Sequence, residues 1–343
     1  MSGAVMLEAK IEAYLKAKLP AAEQLAVANL WRIPGGASRE TWAFDARWRE
    51  VGQEVVRGFV LRRDPDASLL ETERDVEFRV MDAVWSQGVP VPKMHWLEQD
   101  GTWLERPFFI MDRVDGCETS PTKLLMEPRF VPAHGSIARR FVEILAKIHG
   151  LDWQALGLDF LGAPASQEDC AEMEIARWEG VVARDSLEPQ PVLRGAFRWL
   201  RRHLPPPAQR IVLVHADYRT GNFLFNAEGE IKGMLDWEMA HLGDPMEDVA
   251  WACLRPWRWA GDERVGGLMQ RQEFYRMYEE ATGLTVDEES VRFWEVLGNV
   301  KLAAIFVTGA RSFCEGRTGS VMMALLGRNI ARLELEIMDL MGV

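Results

Sequence analysis

Apolar residues recur at helical spacing near the N-terminus, where Met6, Leu7, Ile11, Tyr14, Leu15 and Leu19 share one face. Glu8, Lys10, Glu12, Lys16 and Lys18 fall between them. That period predicts an amphipathic helix packed on the body, and the interspersed charges exclude the apolar run of a signal peptide. The pattern then changes. Leu25–Ile33 and Glu40–Phe44 read as strands flanking Pro34-Gly35-Gly36-Ala37-Ser38, a turn by composition. Val55–Arg62 is β-branched and apolar and predicts another strand. In Glu71–Trp85, Phe78, Met81, Val84 and Trp85 form one stripe, a helix stopped before Gly88 and Pro90. Phe108–Met111 is a short apolar strand, with Asp115-Gly116 as the turn after it.

Beyond this point the pattern is mostly helical. Ile137, Phe141, Ile144, Leu145 and Ile148 line one face of a helix ending at Gly150, and Ser290–Ser312 and Met322–Met341 show similar periodicity. One β-hairpin interrupts the series, Phe223–Phe225 and Ile231–Leu235 around Asn226-Ala227-Glu228-Gly229. A small β-rich lobe, residues 1–113, followed by a helical lobe, residues 114–343, is an α+β organisation.

Composition narrows the partners. The apolar share of 48% and charged share of 27% are those of a soluble globular protein. A net charge of −12 argues against nucleic-acid or anionic-membrane binding, which needs a basic face. Cys117, Cys170, Cys253 and Cys314 are scattered with no C-x-x-C pair, so neither a disulfide framework nor a thiolate zinc site is indicated and a cytoplasmic location is expected. No run of 18 apolar residues is seen. The pattern does not define an oligomeric state.

The chemistry concentrates in Val214-His215-Ala216-Asp217-Tyr218-Arg219-Thr220-Gly221-Asn222 and Leu235-Asp236-Trp237-Glu238. Asn222 directly precedes the first hairpin strand and Asp236 directly follows the second, so antiparallel pairing brings both to the hairpin's open end. Asp217 lies in the loop entering that end. Two carboxylates and a carboxamide are hard oxygen ligands suited to Mg²⁺ and to phosphate chemistry. Polar residues also gather at ordinary hairpin mouths, so the spacing H-x-D-x-x-x-x-N followed by L-D-W carries the argument.

These segments, with the run Leu235–Asp248, Ile175-Ala176-Arg177-Trp178 and Tyr218-Arg219, resemble the aminoglycoside phosphotransferase family, relatives of the protein kinases. The similarity is strongest to the branch fused to acyl-CoA dehydrogenases and its stand-alone bacterial relatives. The resemblance implies a two-lobed kinase-like fold and an ATP- and Mg²⁺-dependent transfer to a small-molecule hydroxyl. By it, Asp217 is the catalytic base, Asn222 and Asp236 hold the metal, and Arg219 takes the place of a lysine aimed at the γ-phosphate. Asp248 then accepts backbone N–H groups of the catalytic loop, while His215 reads as structural. Asp244 reads as a helix cap, with Pro245 opening the helix.

In the N-terminal lobe the resemblance places Gly35, Gly36 and Ser38 over the phosphates, where an ordinary Gly-Gly turn is the competing reading. Arg62 stands where kinases keep a phosphate-pairing lysine, with Glu77 as its helical partner; an exposed surface pair is the alternative. The backbone of Asp112 and Val114 is expected to meet adenine.

A peptide substrate is disfavoured, because Asp236 runs directly into Glu238–Asp248 without an activation segment. A non-catalytic nucleotide-binding regulator is disfavoured by the intact Asp217, Asn222 and Asp236. For the acceptor, hydroxyacyl-CoA thioesters, aminoglycosides and choline-like or sugar alcohols remain open. Lys301 and Arg311 lie about 80° apart on a helical wheel amid small residues, and are candidate contacts for an anionic acceptor. Pairing with Glu295 and Glu315 is the alternative.

Overall fold

The structure, a computed structural model, describes residues 3–33, 40–64, 74–259 and 261–343. Gly35, Gly36 and Ser38 therefore lie outside the described residues. The N-terminal lobe contains α1 (Gly3–Lys18), β1 (Glu23–Arg32), β2 (Glu40–Glu50), β3 (Gln53–Arg63), α2 (Arg74–Ser86), β4 (Met94–Glu98) and β5 (Phe108–Asp112). The strands form one antiparallel sheet in the order β1-β2-β3-β5-β4.

Period-2 alternation divides the apolar side chains between the two faces of the sheet. Phe59 and Leu61 of β3, with Phe108 and Ile110 of β5, pack under Leu7, Ile11, Tyr14 and Leu15 of α1. Val60, Phe109 and Met111 face the other way, onto Val80, Met81 and Val84 of α2 and the core of the helical lobe. Arg62 follows Val60 by two residues, and the same alternation turns it toward α2.

Two strand features depart from the sequence reading. β2 runs on to Glu50 and turns tightly into β3 through Val51 and Gly52, both with positive φ, 49° and 78°. β4 also forms, although its register is broken between Met94 and Trp96.

The helical lobe comprises α3 (Pro121–Met126), α4 (His134–His149), α5 (Asp169–Asp185), α6 (Pro191–Arg202), α7 (Met246–Cys253), α8 (Arg271–Thr282), α9 (Glu288–Cys314) and α10 (Val321–Met341). Two small antiparallel ladders carry the site, β6 (Val212–Val214) with β9 (His241–Gly243), and the hairpin β7 (Phe223–Phe225) with β8 (Ile231–Met234). Helix α9 is the central post, packed against α5, α6, α7 and α10. It is long and apolar enough to cross a membrane, but 83% of its most apolar window is buried inside the protein, as expected of a core helix.

Candidate active site

Strand β6 delivers the chain into the loop 215–222, and the β7–β8 hairpin closes it. Phe223 pairs with Met234, so Asn222 stands opposite Leu235, whose N–H donates to the Asn222 carbonyl at 2.8 Å. Asp236 follows at the hairpin's open end with φ of 62°. A left-handed conformation is unfavourable for a residue with a Cβ and persists where the surroundings hold it.

Ala216, just before Asp217, is also left-handed at 67°. Its surroundings grip both faces of the peptide chain. Asp248, fully buried, accepts from the N–H of His215 at 2.7 Å and of Ala216 at 2.8 Å. On the other side the Lys301 ammonium donates to the Ala216 carbonyl at 2.7 Å. His215 accepts the Asp217 N–H at Nδ1, 3.2 Å, and meets the Leu235 carbonyl through Nε2, 3.0 Å. Those partners require the neutral tautomer protonated on Nε2. Burial holds the His215 pKa below its ordinary value, in the same direction. His215 is therefore a brace, as its sequence context indicates.

Asp217 presents its two oxygens differently. Oδ1 accepts from Arg219 Nε and from Trp251 Nε1, both at 2.9 Å. Oδ2 accepts from the carboxamide nitrogen of Asn222, which also donates to the Asp217 carbonyl at 3.0 Å. An ionised carboxylate offers roughly four acceptor positions. Oδ1 has two filled, leaving Oδ2 with one open position toward an incoming hydroxyl. With the nitrogen of Asn222 engaged twice, its carboxamide oxygen is the group left for a cation.

Across the cleft, Arg62 is 8% exposed and bonds Glu77 and Asp236 Oδ1 through Nη1, the latter at 3.0 Å. The pairing of Arg62 with Glu77 expected from the sequence is thus present and buried. Burial alone would lower the Arg62 pKa, but the carboxylates of Glu77, Asp236 and Glu238 hold it above its ordinary value. Arg62 Nε is buried without a hydrogen-bond partner among the described residues, a donor left for a phosphate oxygen. The Asp112 N–H is taken by the Lys93 carbonyl at 2.9 Å. The donor set fits both groups the sequence implies: hard oxygens from Asn222 and Asp236 for Mg²⁺, and Arg62 for a nucleotide's phosphates.

The reading of Lys301 and Arg311 as contacts for an anionic acceptor is corrected. Lys301 is 2% exposed, bonded to Ala216 and to Glu247 at 3.0 Å, and lies 4.5 Å from the Trp251 ring centre. It supports the catalytic loop from beneath. Arg311 is held by Glu315 at 2.7 Å and Asp185 at 3.1 Å. Glu295 pairs with Arg271 instead. Asp244 accepts the Met246 N–H at 2.9 Å, so it caps α7 with Pro245 just outside the first turn rather than inside it.

Sequence reasoning missed three supports of the loop. His149 Nε2 meets Asp248 Oδ2 at 3.1 Å and its Nδ1 meets the Tyr278 hydroxyl at 2.6 Å. Trp251 bonds Asp217 directly, and Trp257 lies under the Arg219 guanidinium at 4.3 Å. The fourth residue of this shell, Lys301, was seen but given another role. Beneath it Glu174, His241 and Glu247 form a buried carboxylate–imidazole cluster. His241 Nε2 lies 3.0 Å from Glu247 Oε2, and the Lys301 ammonium supplies the second cation there.

A β-rich lobe over a helical lobe, with a carboxylate, a carboxamide and a second carboxylate at one hairpin mouth, defines a kinase-like small-molecule phosphotransferase. The profile of the phosphotransferase enzyme family matches residues 30–294, more than half of the chain, and the chain belongs to that family. It is similar to acyl-CoA dehydrogenase family member 10 of Mus musculus, 33% identical over 236 residues, which are 65% of this chain and 21% of that protein. The chain thus spans about a fifth of that relative's length. Among solved structures it is similar to one assigned as an aminoglycoside phosphotransferase from Ralstonia eutropha JMP134, with TM-score 0.73, 25% identity and coverage of 97% of this chain and 98% of that one. A thermostable mutant of an aminoglycoside phosphotransferase, solved as a ternary complex with ADP and hygromycin B, shares the fold at TM-score 0.59 and 17% identity, covering 97% and 98% of the two chains.

Proposed function

We propose that this protein transfers the γ-phosphoryl group of Mg-ATP to a hydroxyl of a small molecule. The observation that carries the reading is the meeting of Asp217, Asn222 and Asp236 at one hairpin mouth, with Arg62 tying Asp236 to Glu77. Asp217 Oδ2 accepts the proton of the acceptor hydroxyl while the alcohol oxygen attacks the γ-phosphorus. The bond from phosphorus to the bridging oxygen breaks, and ADP carries that electron pair away. Asn222 and Asp236 would hold Mg²⁺, which would supply charge neutralisation on the phosphates. Arg62, fixed by Glu77, orients the phosphate chain, and Arg219 keeps a positive charge beside the base.

For the acceptor, the relative named as an acyl-CoA dehydrogenase family member favours a hydroxyacyl-type compound. Lys301 and Arg311 lend that choice no support, since both are already paired. The test is ADP release from Mg-ATP across a panel of hydroxy acids, hydroxyacyl thioesters, amino alcohols and aminoglycosides. Asp217→Asn is expected to lower turnover by about 10³-fold or more with little change in nucleotide affinity. Near-normal turnover in that variant removes Asp217 as the base.

A further inference from the structure

Helix α2 is tied to the helical lobe near both of its ends, and the two ties differ in kind. Just beyond its C-terminal end the contacts are to backbone carbonyls. The Lys147 ammonium of α4 donates to the Gly88 carbonyl at 2.9 Å, and the Met234 N–H of β8 donates to the Pro90 carbonyl at 2.6 Å. That end is pinned.

The other end carries Glu77, which lies in the first turn of α2. The N–H groups of a first turn have no partners within the helix, and such a turn opens at little cost unless tertiary contacts hold it. Glu77 contributes one contact through its bond to Arg62. Arg79 contributes another, since its guanidinium lies 3.4 Å from the ring centre of Phe160. Phe160 belongs to the helical lobe, in the 3₁₀ turn Asp159–Leu161, and packs against the main core. Asp75, one helical turn before Arg79, reaches the same guanidinium only at 3.9 Å.

Residues two apart on a helix project about 200° from each other. Glu77 and Arg79 therefore leave α2 on opposite sides, one toward Arg62 of β3 and the other toward Phe160. The near end of α2 is thus seated between the sheet and the helical lobe. Its position decides whether the Glu77 carboxylate reaches Arg62, and Arg62 in turn bonds Asp236 at 3.0 Å.

We propose that Arg79 and Phe160 are positioning residues for the nucleotide: the stacked pair seats the first turns of α2, so that Glu77 holds Arg62 toward the phosphates. The inference rests on the phosphotransferase reading above and adds the part of the helical lobe that sets the Arg62–Glu77 pair. A cation on an aromatic face at a partly exposed site shifts an equilibrium a few-fold. Where only the seated arrangement is competent to bind, its depletion weakens apparent nucleotide affinity.

The test is calorimetric titration of the full chain with Mg²⁺ and a non-hydrolysable ATP analogue, with the denaturant midpoint of each variant as a second reading. Arg79→Gln is expected to weaken analogue binding about 3- to 5-fold. Arg79→Lys keeps a cation over the ring and is expected to stay within about 2-fold of wild type. Arg, Lys and Gln have similar helix propensities, so the contrast isolates the charge on the ring. Phe160→Leu keeps apolar packing, removes the aromatic face, and should weaken binding as Arg79→Gln does. The two changes together should be no worse than either alone, and Arg79→Gln should cost nothing further in the Glu77→Gln protein. The Arg79 side chain is 47% exposed, so its variants fold even where Phe160→Leu or Glu77→Gln does not. Unchanged affinity in Arg79→Gln overturns the assignment, even with a lowered denaturant midpoint, because a purely structural contact moves the midpoint alone. Equal losses in Arg79→Lys and Arg79→Gln, or additive losses in the double variants, also overturn it. Failure of the phosphotransferase reading looks different: analogue affinity responds in this way, but no alcohol elicits ADP release from Mg-ATP. A wild-type chain that binds no Mg-ATP analogue overturns both.

Discussion

Replacing Lys301 by methionine removes one cation from a buried polar cluster and one donor from the catalytic loop. The side chain is 2% exposed and bonds the Ala216 carbonyl at 2.7 Å and Glu247 at 3.0 Å. Methionine keeps the aliphatic stem against Trp251, so the loss isolates the charge. Breaking a buried ion pair by deleting one partner costs about 3–5 kcal/mol, because the other charge stays buried. Here His241 remains beside Glu247 and compensates part of it, which places Lys301→Met at about 3 kcal/mol. An unfolding entropy of about 2.1 cal/mol/K per residue over 343 residues converts this to a fall in Tm of about 4 °C. Adding Glu247→Gln removes the carboxylate that has lost its second cation, and the double variant is expected to recover more than half of the loss in stability. Turnover reads the other contact. With the Ala216 carbonyl released from Lys301, the left-handed peptide before Asp217 loosens, and kcat should fall about tenfold while KM for ATP holds. Thermal unfolding and steady-state kinetics of the two variants check both statements. A single variant within about 1 kcal/mol of wild type, or a double variant no better than the single, refutes the argument.

Three further outcomes are expected. Arg62→Ala leaves the buried Glu77 carboxylate without its guanidinium, and should cost about 3 kcal/mol and weaken nucleotide binding in the same protein, read by denaturant unfolding and titration with an ATP analogue. His241 has its pKa raised to about 8 because the carboxylates of Glu174 and Glu247 outweigh burial. A raised imidazole pKa contributes stability that is complete below the ordinary value of 6.5 and lost as pH rises through about 8, here on the order of 2 kcal/mol; denaturant unfolding from pH 6 to 9 should show that loss, and His241→Gln should abolish the pH dependence. Val51 is 99% exposed with φ of 49° in the β2–β3 turn, so Val51→Asn should raise stability by about 1 kcal/mol, and an unchanged denaturant midpoint counts against strain there.

The sequence made the site legible where its members are local. Asp217, Asn222 and Asp236 are brought together by one hairpin, so their spacing implies their meeting. Arg62 and Glu77 are also near in the chain, and strand alternation turns the arginine toward the helix. The supporting shell was hidden because it joins distant segments: His149 to Asp248, Trp251 to Asp217 and Lys301 to Ala216 span separations of 99, 34 and 85 residues. Nothing local distinguishes such a histidine, tryptophan or lysine from a packing or surface residue. The error over Lys301 has a definite cause. A helical wheel gives the angle between two residues and not the direction their face points, and α9 is buried almost all round, so no polar side orients it. The β2–β3 turn was missed because Val51-Gly52 lacks the Asn-Gly or Asp-Gly signature of a two-residue hairpin.

The bracing of the loop around Ala216 follows from what the loop must do. A base that accepts a proton in transit gains from a fixed position, since misplacement is costly in the transition state. The residues around Ala216 accordingly satisfy its peptide groups on both sides and make its left-handed conformation the best available one.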